Sequence, residues 1–437
     1  MRNACGPFEG KKITVLGLGL LGRGVGDVEF LAKCGAEILV TDKKTETELA
    51  ESVAKLKAYK NVSFRLGKQS KEDFRNRDLV IKAAGVPLDS PYIAAAKAAG
   101  VPVAMSTALF AKYAAAAGAV IVGVTGTRGK STVAHMIHHV LIRANKRTVL
   151  GGNIRGISTL AMLPEIQADD IAVLELDSWQ LQGFGDMKMS PHIAVFTNLM
   201  PDHLNYYADM EKYFEDKANI FRYQKTVDSL FVGKSIKEKI DAARPQVAPL
   251  VPPAIPAEWQ LKIPGAHNRE NASHAAAAVR ALGGSEEDIR EGLESFKGVE
   301  GRLQLLGNIN EIAVYNDNNA STPEATIAAL HALSRPLTLI VGGYDKGVAL
   351  AELAQAINKN TDAVVLFSGN GTDRLKSLLT KMYSETDSLA EALRMALKQT
   401  APGGTILFSP AFASFEAFKN YYDRNDQFIA AYKKLAS

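Results

Sequence analysis

The chain has little cysteine: only Cys5 and Cys34 among 437 residues. Two thiols make neither a disulfide framework nor a metal cluster, so a reducing, cytoplasmic setting is expected. Long hydrophobic runs are missing as well. The apolar stretches are short and broken by Gly, Lys or Asp, which excludes a bilayer-spanning helix and leaves no expected membrane partner. Met1 to Lys12 lacks the apolar stretch of a secretion signal and is expected to run directly into a strand. Neither sign of charge dominates. Lys and Arg number 51 against 47 Asp and Glu, a net +4, too mild for a nucleic-acid partner, which would need a clustered basic face. Internal repeats and disordered low-complexity tracts are not seen.

What is there is a globular balance, 47% hydrophobic and 22% charged, in a chain too long for one ordinary domain. β-Branched apolar runs alternate with Ala/Leu/Lys-rich helical patterns. The runs are Ile13–Leu16, Ile38–Thr41, Asp78–Ala83, Val120–Val124, Ile171–Leu176, Ile193–Asn198, Leu337–Val341, Ala363–Ser368 and Thr405–Ser409. That rhythm predicts an α/β protein of parallel sheets with crossover helices, with ligand sites where strand carboxyl ends meet helix N-termini. An Ala-rich helix around Leu109–Ala117 and the glycines Gly298 and Gly301 suggest three domains: 1–110, 111–301 and 302–437. Pro245, Pro249, Pro252, Pro253 and Pro256 oppose helix and central strand, and read as a surface excursion of the middle domain.

The strongest local signal is Gly123-Val-Thr-Gly126-Thr127-Arg128-Gly129-Lys130-Ser131-Thr132, set between an apolar strand and a helix. Its glycines let backbone N–H groups close around phosphate oxygens. Lys130 supplies a point charge at the β/γ-phosphates, and Ser131 or Thr132 can ligate Mg²⁺. Val124 stands where the general pattern has its first Gly, so the loop is a shortened variant. It predicts an ATP site.

Gly17-Leu-Gly19-Leu20-Leu21-Gly22 also follows a strand and opens a helix, and Asp42 ends the next strand at dinucleotide-fingerprint spacing. A dinucleotide, another nucleotide or a bare turn all suit it. Lys43 and Lys44 can meet a phosphate or water. In the middle domain Glu175 ends a strand beside the phosphate loop, where a carboxylate can hold Mg²⁺ or cap a helix. His203, in Asp202-His-Leu-Asn205, can be a metal ligand, an acid–base group or a packing residue. Lys217 reads by itself as a surface helix lysine.

Five blocks in register, and a sixth at the C-terminal end, resemble the Mur ligase family. They are Thr125–Thr132, Gly151-Gly-Asn153-Ile, Leu174-Glu175-Leu-Asp-Ser-Trp-Gln, Asp202-His203-Leu-Asn, Gly265-Ala-His267-Asn268-Arg-Glu-Asn271, and Ser409 to Arg424. The last is similar to members that add D-glutamate. The resemblance covers essentially the whole chain. It implies a Rossmann-like N-terminal domain, a P-loop ATPase-like central parallel sheet and a Rossmann-like C-terminal domain. It also implies a monomer that ligates D-glutamate to UDP-N-acetylmuramoyl-L-alanine, using ATP and Mg²⁺, through an acyl phosphate.

By that resemblance the first domain holds the UDP end of the substrate, through Gly19, Leu20, Leu21, Asp42 and Lys43, and Asn153 contacts the muramoyl portion. Ser131 and Glu175 hold one Mg²⁺ and His203 a second. Lys217 matches a carbamylated lysine, whose carbamate acts as a metal-ligating carboxylate. Asn271, Arg302 and Asp317 contact the nucleotide, while Lys346, Ser414 and Tyr421 lie at D-glutamate. Lys130, His203 and Lys217 form the catalytic set. Departures from the family pattern are Arg128 for Asn, Gly301 for His, Asn319 for Lys, Ser321 for Thr and Asn425 for Gly. Rival readings are a related amino-acid or folylpolyglutamate ligase, an NAD-dependent oxidoreductase and an inactive nucleotide-binding regulator. The oxidoreductase leaves the phosphate loop, Glu175 and His203 without a role.

Overall fold

β-Branched runs become strands because their side chains pack well on a pleated surface, and the helices between them cover both faces. The computed structural model describes residues 2–19, 22–202, 206–345, 347–414 and 417–436. The described residues form three sheets. The first holds β1 (Lys12–Leu16), β2 (Glu37–Asp42), β3 (Val62–Leu66), β4 (Leu79–Lys82) and β5 (Val103–Ala104), in the order β3-β2-β1-β4-β5. All its pairs are parallel. The strand order reverses between β1 and β4, which opens a crevice at their carboxyl ends.

The second sheet holds β6 (Val120–Thr125), β7 (Thr148–Gly152), β8 (Ile171–Glu175), β9 (Ile193–Phe196), β10 (Ser229–Val232) and β11 (Pro249–Leu250). It is also wholly parallel, in the order β11-β10-β9-β6-β8-β7. The third holds β12 (Gln304–Ile309), β13 (Ile312–Asn316), β14 (Leu337–Gly342), β15 (Ala363–Phe367), β16 (Tyr383–Thr386) and β17 (Thr405–Phe408), ordered β12-β13-β17-β14-β15-β16.

The third sheet departs from the parallel expectation, because β12 runs antiparallel to β13. Asn310 and Glu311 join them with φ of 47° and 65°. Two left-handed residues give the turn whose twist suits a two-residue hairpin. Leu339, Val341 and Leu407 enter one core of this sheet, and Ile340, Ile406 and Phe408 enter the other. Burial on both faces is why Leu337–Gly342 is apolar without alternation.

The chain divides into two compact units, Met1–Pro253 with Ala272–Gly292, and Ala254–Asn271 with Leu293–Ser437. The first unit contains the first two sheets, and one buried cluster runs from Ile13 and Val40 through Phe110 and Ile121 to Phe184 and Phe196. The proline-rich stretch is not wholly a middle-domain excursion. Pro249 begins the edge strand β11, where a missing N–H is tolerated, and Pro256 lies in the second unit.

Two expectations about the N-terminus are corrected. A short helix, Arg2–Cys5, and a turn precede β1, so the chain does not run directly into the strand. Phe8 packs edge-on against Phe30 at 5.7 Å, folding the start of the chain over the end of helix Arg23–Lys33. That contact brings Cys5 to Cys34, and the two are joined as a disulfide with Cα atoms 4.9 Å apart. Among the described residues no helix is long and apolar enough to cross a membrane.

Candidate active site

β6 lies between β8 and β9, with Val124 level with Glu175 and Thr125 level with Phe196. The turn after β6 is therefore flanked by two other strand ends. Residues 126–129 connect β6 to the helix Lys130–Arg143. Gly126 has φ of 142°, and a Cβ there would fall on the Thr197 hydroxyl. Gly129 is left-handed at the helix N-cap, with φ of 85°. The loop is pinned from the β9 side. Asn198 accepts from Thr127 N–H at 2.9 Å through its carbonyl and from Arg128 N–H at 2.9 Å through its side chain. The Thr197 hydroxyl donates to the Arg128 carbonyl at 2.6 Å. Thr127, Ser131 and Thr132 are buried.

Two lysines converge on this loop. Lys130 Nζ donates to the Gly126 carbonyl at 3.0 Å and the Thr127 carbonyl at 3.1 Å. Lys217 comes from the helix Met210–Ala218, is 1% exposed, and donates to the same Gly126 carbonyl at 2.9 Å. Its ammonium also lies over the Tyr213 ring at 4.7 Å. Burial first, and then the Lys130 charge, push Lys217 well below its ordinary basicity, against the pull of Asp177, Asp202 and Asp216. The charged form is thereby disfavoured. The surface-helix reading of Lys217 is corrected: its helix turns this side chain inward.

Glu175 ends β8 and is 2% exposed. Asn153 follows β7; its backbone N–H donates to the Glu175 carbonyl at 2.8 Å, and its amide donates to Glu175 Oε1 at 3.4 Å. Among the described residues, no group of three or more His, Cys, Asp and Glu side chains converges in a way that could hold a metal ion. Ser131, in the first turn of the helix after the loop, and Glu175, at the end of β8, are both buried.

A cavity of about 440 Å³ opens at the carboxyl ends of the first sheet, and Gly17, Leu18, Gly19, Arg23, Asp42 and Lys44 line part of it. Asp42 is tied down by the backbone N–H groups of Leu18 at 2.8 Å, Gly19 at 3.4 Å and Lys44 at 3.0 Å. Lys43 is exposed and outside the lining, and Lys44 stands there in its place. The lining also includes Gly152 at the end of β7, Thr159, and Gln180 in the helix Ser178–Asp186.

In the second unit Asp317 follows β13, accepting from Leu303 N–H at 2.9 Å and from the Ser409 hydroxyl at 2.8 Å. That brings Asp317 beside the segment containing Arg302, which is half-buried. Asn271 is buried and donates to Asn268 at 3.2 Å. Ser414 is buried, and Tyr421 is 40% exposed. The family departures at 301, 319 and 425 meet one another. A Cβ on Gly301 would stand 3.1 Å from Asn425 Oδ1 and 3.2 Å from Asn319 Nδ2. Leu20, Leu21, His203 and Lys346 lie outside the described residues.

Sequence reasoning missed Thr197 and Asn198 as loop anchors, and Arg23 and Lys82 as charged cavity residues. Arg23 had a visible signal, since it directly follows the last glycine of the first loop. The others had none, because each depends on which strand ends become neighbours.

Three family models match the chain: Mur ligase MurD-like N-terminal domain over residues 11–105, Mur ligase middle domain over 124–251, and Mur ligase glutamate ligase domain over 301–412. A UDP-N-acetylmuramoylalanine–D-glutamate ligase of Roseiflexus sp. (strain RS-1) is 33% identical, with 96% of this chain and 98% of that one covered. The enzyme of that name from Streptococcus mutans is 34% identical, with 98% of each covered. Among solved structures, the UDP-N-acetylmuramate-alanine ligase of Thermotoga maritima superposes with a TM-score of 0.64 at 20% identity, covering 97% of this chain and 99% of that one. That likeness concerns the fold.

Proposed function

The chain belongs to the Mur ligase family, and we propose that it joins D-glutamate to UDP-N-acetylmuramoyl-L-alanine while converting ATP to ADP and phosphate. One observation carries the chemistry: Lys130 and the buried Lys217 both rest on the Gly126 carbonyl, next to the strand end that bears Glu175. Full-length relatives bearing the name of that reaction support the substrate pair.

A free carboxylate at neutral pH does not form an amide unless it is activated. The L-alanyl carboxylate attacks the γ-phosphorus of ATP, the bond to the β-phosphate oxygen breaks, and an acyl phosphate forms. The D-glutamate amine then attacks the acyl carbon, a tetrahedral intermediate forms, and phosphate leaves with the original carboxylate oxygen. Lys130 moves from the loop carbonyls onto the β/γ-phosphates, and the loop amides hold the phosphate oxygens. A neutral Lys217 adds to carbon dioxide through its nitrogen and releases a proton, leaving an anionic carbamate.

The residues present suit Mg²⁺, which takes hard oxygen donors. Among the described residues the buried Glu175 carboxylate meets one side-chain donor, the long hydrogen bond from Asn153. Ser131 and Glu175 would hold one ion and His203 a second, with the Lys217 carbamate as a further ligand. When bound, the ions would offset charge on the transferring phosphoryl group. Asn271, Arg302 and Asp317 are assigned to the nucleotide, and Lys346, Ser414 and Tyr421 to D-glutamate.

The test is phosphate release from ATP with UDP-N-acetylmuramoyl-L-alanine and each amino acid in turn. Release that requires D-glutamate is expected. Release with a different amino acid would overturn the specificity, and no release with any would overturn the ligase reading.

A further inference from the structure

We propose that Arg23 binds the diphosphate of the nucleotide substrate and, through Asn153, couples that binding to the orientation of Glu175. The inference rests on the ligase reading above and assigns a residue that the family blocks did not.

Arg23 opens the helix Arg23–Lys33 and lines the first-domain cavity. Its guanidinium NH1 crosses to the second sheet's loops and donates to Asn153 Oδ1 at 2.9 Å. The amide nitrogen of the same Asn153 donates to Glu175 Oε1. Arg23, Asn153 and Glu175 thus form one hydrogen-bonded chain from the nucleotide cavity to the carboxylate beside the phosphate loop. The segment is held closely in register. Gly26 lies so near that a Cβ would come within 2.6 Å of Ser158 Cβ, and the Ser158 hydroxyl donates to Asp27 at 2.5 Å.

The charges around the cavity favour an anion. Arg23, Lys44 and Lys82 supply the cations. Of the two carboxyl groups, Asp42 already accepts three backbone N–H groups. Burial raises Asp27 above the usual carboxylate range, more than its hydrogen bonds and Arg23 lower it. Among the described residues Arg23 makes no ion pair with a carboxylate, and its one side-chain hydrogen-bond partner is the neutral Asn153 amide. A planar fork of donors suits a diphosphate, which offers paired oxygens at matching spacing. The position also suits the substrate's length. The uridine end is assigned near Gly19 and Asp42, the reacting carboxylate must reach the phosphate loop, and the diphosphate lies between them.

Binding of UDP and of uridine is measured by calorimetry on wild type, Arg23→Ala and Arg23→Lys, alongside steady-state kinetics. Arg23→Ala is expected to weaken UDP about ten- to a hundredfold, the range for a lost charge-assisted hydrogen bond, and to leave uridine nearly unchanged. Arg23→Lys is expected to recover part of the UDP loss. In turnover, Arg23→Ala raises KM for the nucleotide substrate and leaves KM for D-glutamate in place. Its kcat falls as well, because Glu175 loses its orientation. Equal weakening of UDP and uridine would assign Arg23 a merely structural role, and unchanged UDP affinity would overturn the proposal outright. Wild-type binding of UDP without any ligase turnover would instead count against the ligase reading, so the two failures are distinguishable.

Discussion

Lys217 in the central domain and Arg424 in the C-terminal domain are both cations buried to 1% exposure, yet they are held in opposite ways. Lys217 rests on a carbonyl that a second ammonium already occupies, and its basicity falls far. Arg424 spreads its fork over the Asn318 side chain at 2.8 Å, the Asn318 carbonyl at 2.9 Å and the Phe412 carbonyl at 3.0 Å. Burial lowers it only to about 10, so it stays charged at neutral pH. Burial alone therefore does not mark a reactive group. A fork answered by several acceptors ties segments of chain together, whereas a crowded amine is poised to become neutral and react.

The largest effect bearing on this contrast belongs to the other ammonium on the Gly126 carbonyl. Lys130→Ala should reduce turnover by roughly a thousandfold or more, since it removes a positioned charge from phosphoryl transfer, while circular dichroism and Tm stay near wild type. Retained turnover would detach the loop from the chemistry. Lys217→Ala is expected to lose turnover by at least about a hundredfold, and short carboxylic acids should restore part of it. The fold should hold, because the variant no longer buries an amine. Arg424→Met is expected to do the reverse. It loses about 2–4 kcal/mol of stability in denaturant unfolding, since three buried acceptors are left unmet, and carboxylic acids restore nothing. If both variants behaved alike, the distinction would collapse.

Lys82 sharpens the comparison from between the two extremes. It is 2% exposed, rests on the Val86 carbonyl at 3.1 Å, and burial lowers it to about 8 against the opposing pull of Asp186, Asp177 and Asp216. Between pH 8 and 10.5 the unfolded chain binds this proton and the folded chain does not, so stability should rise with pH across that window. The gain is about 3 kcal/mol at 1.36 kcal/mol per pH unit. Lys82→Met should flatten the rise in pH-dependent denaturant melts, and an unchanged slope would mean that the amine is not buried in solution.

The smallest effect concerns Gly301, whose φ is 69°. Gly301→Ala should cost about 1 kcal/mol from the left-handed backbone and the crowding of Asn425. Removing the neighbour as Asn425→Gly should relieve part of that cost, giving a coupling of about 0.5 kcal/mol or more in a double-mutant cycle. Additive costs would mean that the departures at 301 and 425 are independent.

The legibility of the fold followed burial. The nine apolar runs read from the sequence all became strands, and each lies inside its sheet. The six edge strands, β3, β5, β7, β11, β12 and β16, went unread, as did the interior β10 and β13. β3 shows why: Val62–Leu66 alternates half-buried with exposed residues, so no apolar run forms. The phosphate loop was legible because its backbone demands glycines at fixed places. Asn198, which holds that loop, was not, since only the neighbouring of β6 and β9 gives it the task. Lys217 was legible only by family resemblance. Nothing in its local sequence announces which helix face is buried.

The most direct test of the account is the fate of oxygen. UDP-N-acetylmuramoyl-L-alanine carrying ¹⁸O at both oxygens of its alanyl carboxylate is incubated with ATP and D-glutamate, and the released phosphate is examined by mass. The account predicts one labelled oxygen in each phosphate, with the glutamyl product formed in equal amount. Phosphate without label would contradict activation of the carboxylate by phosphorylation.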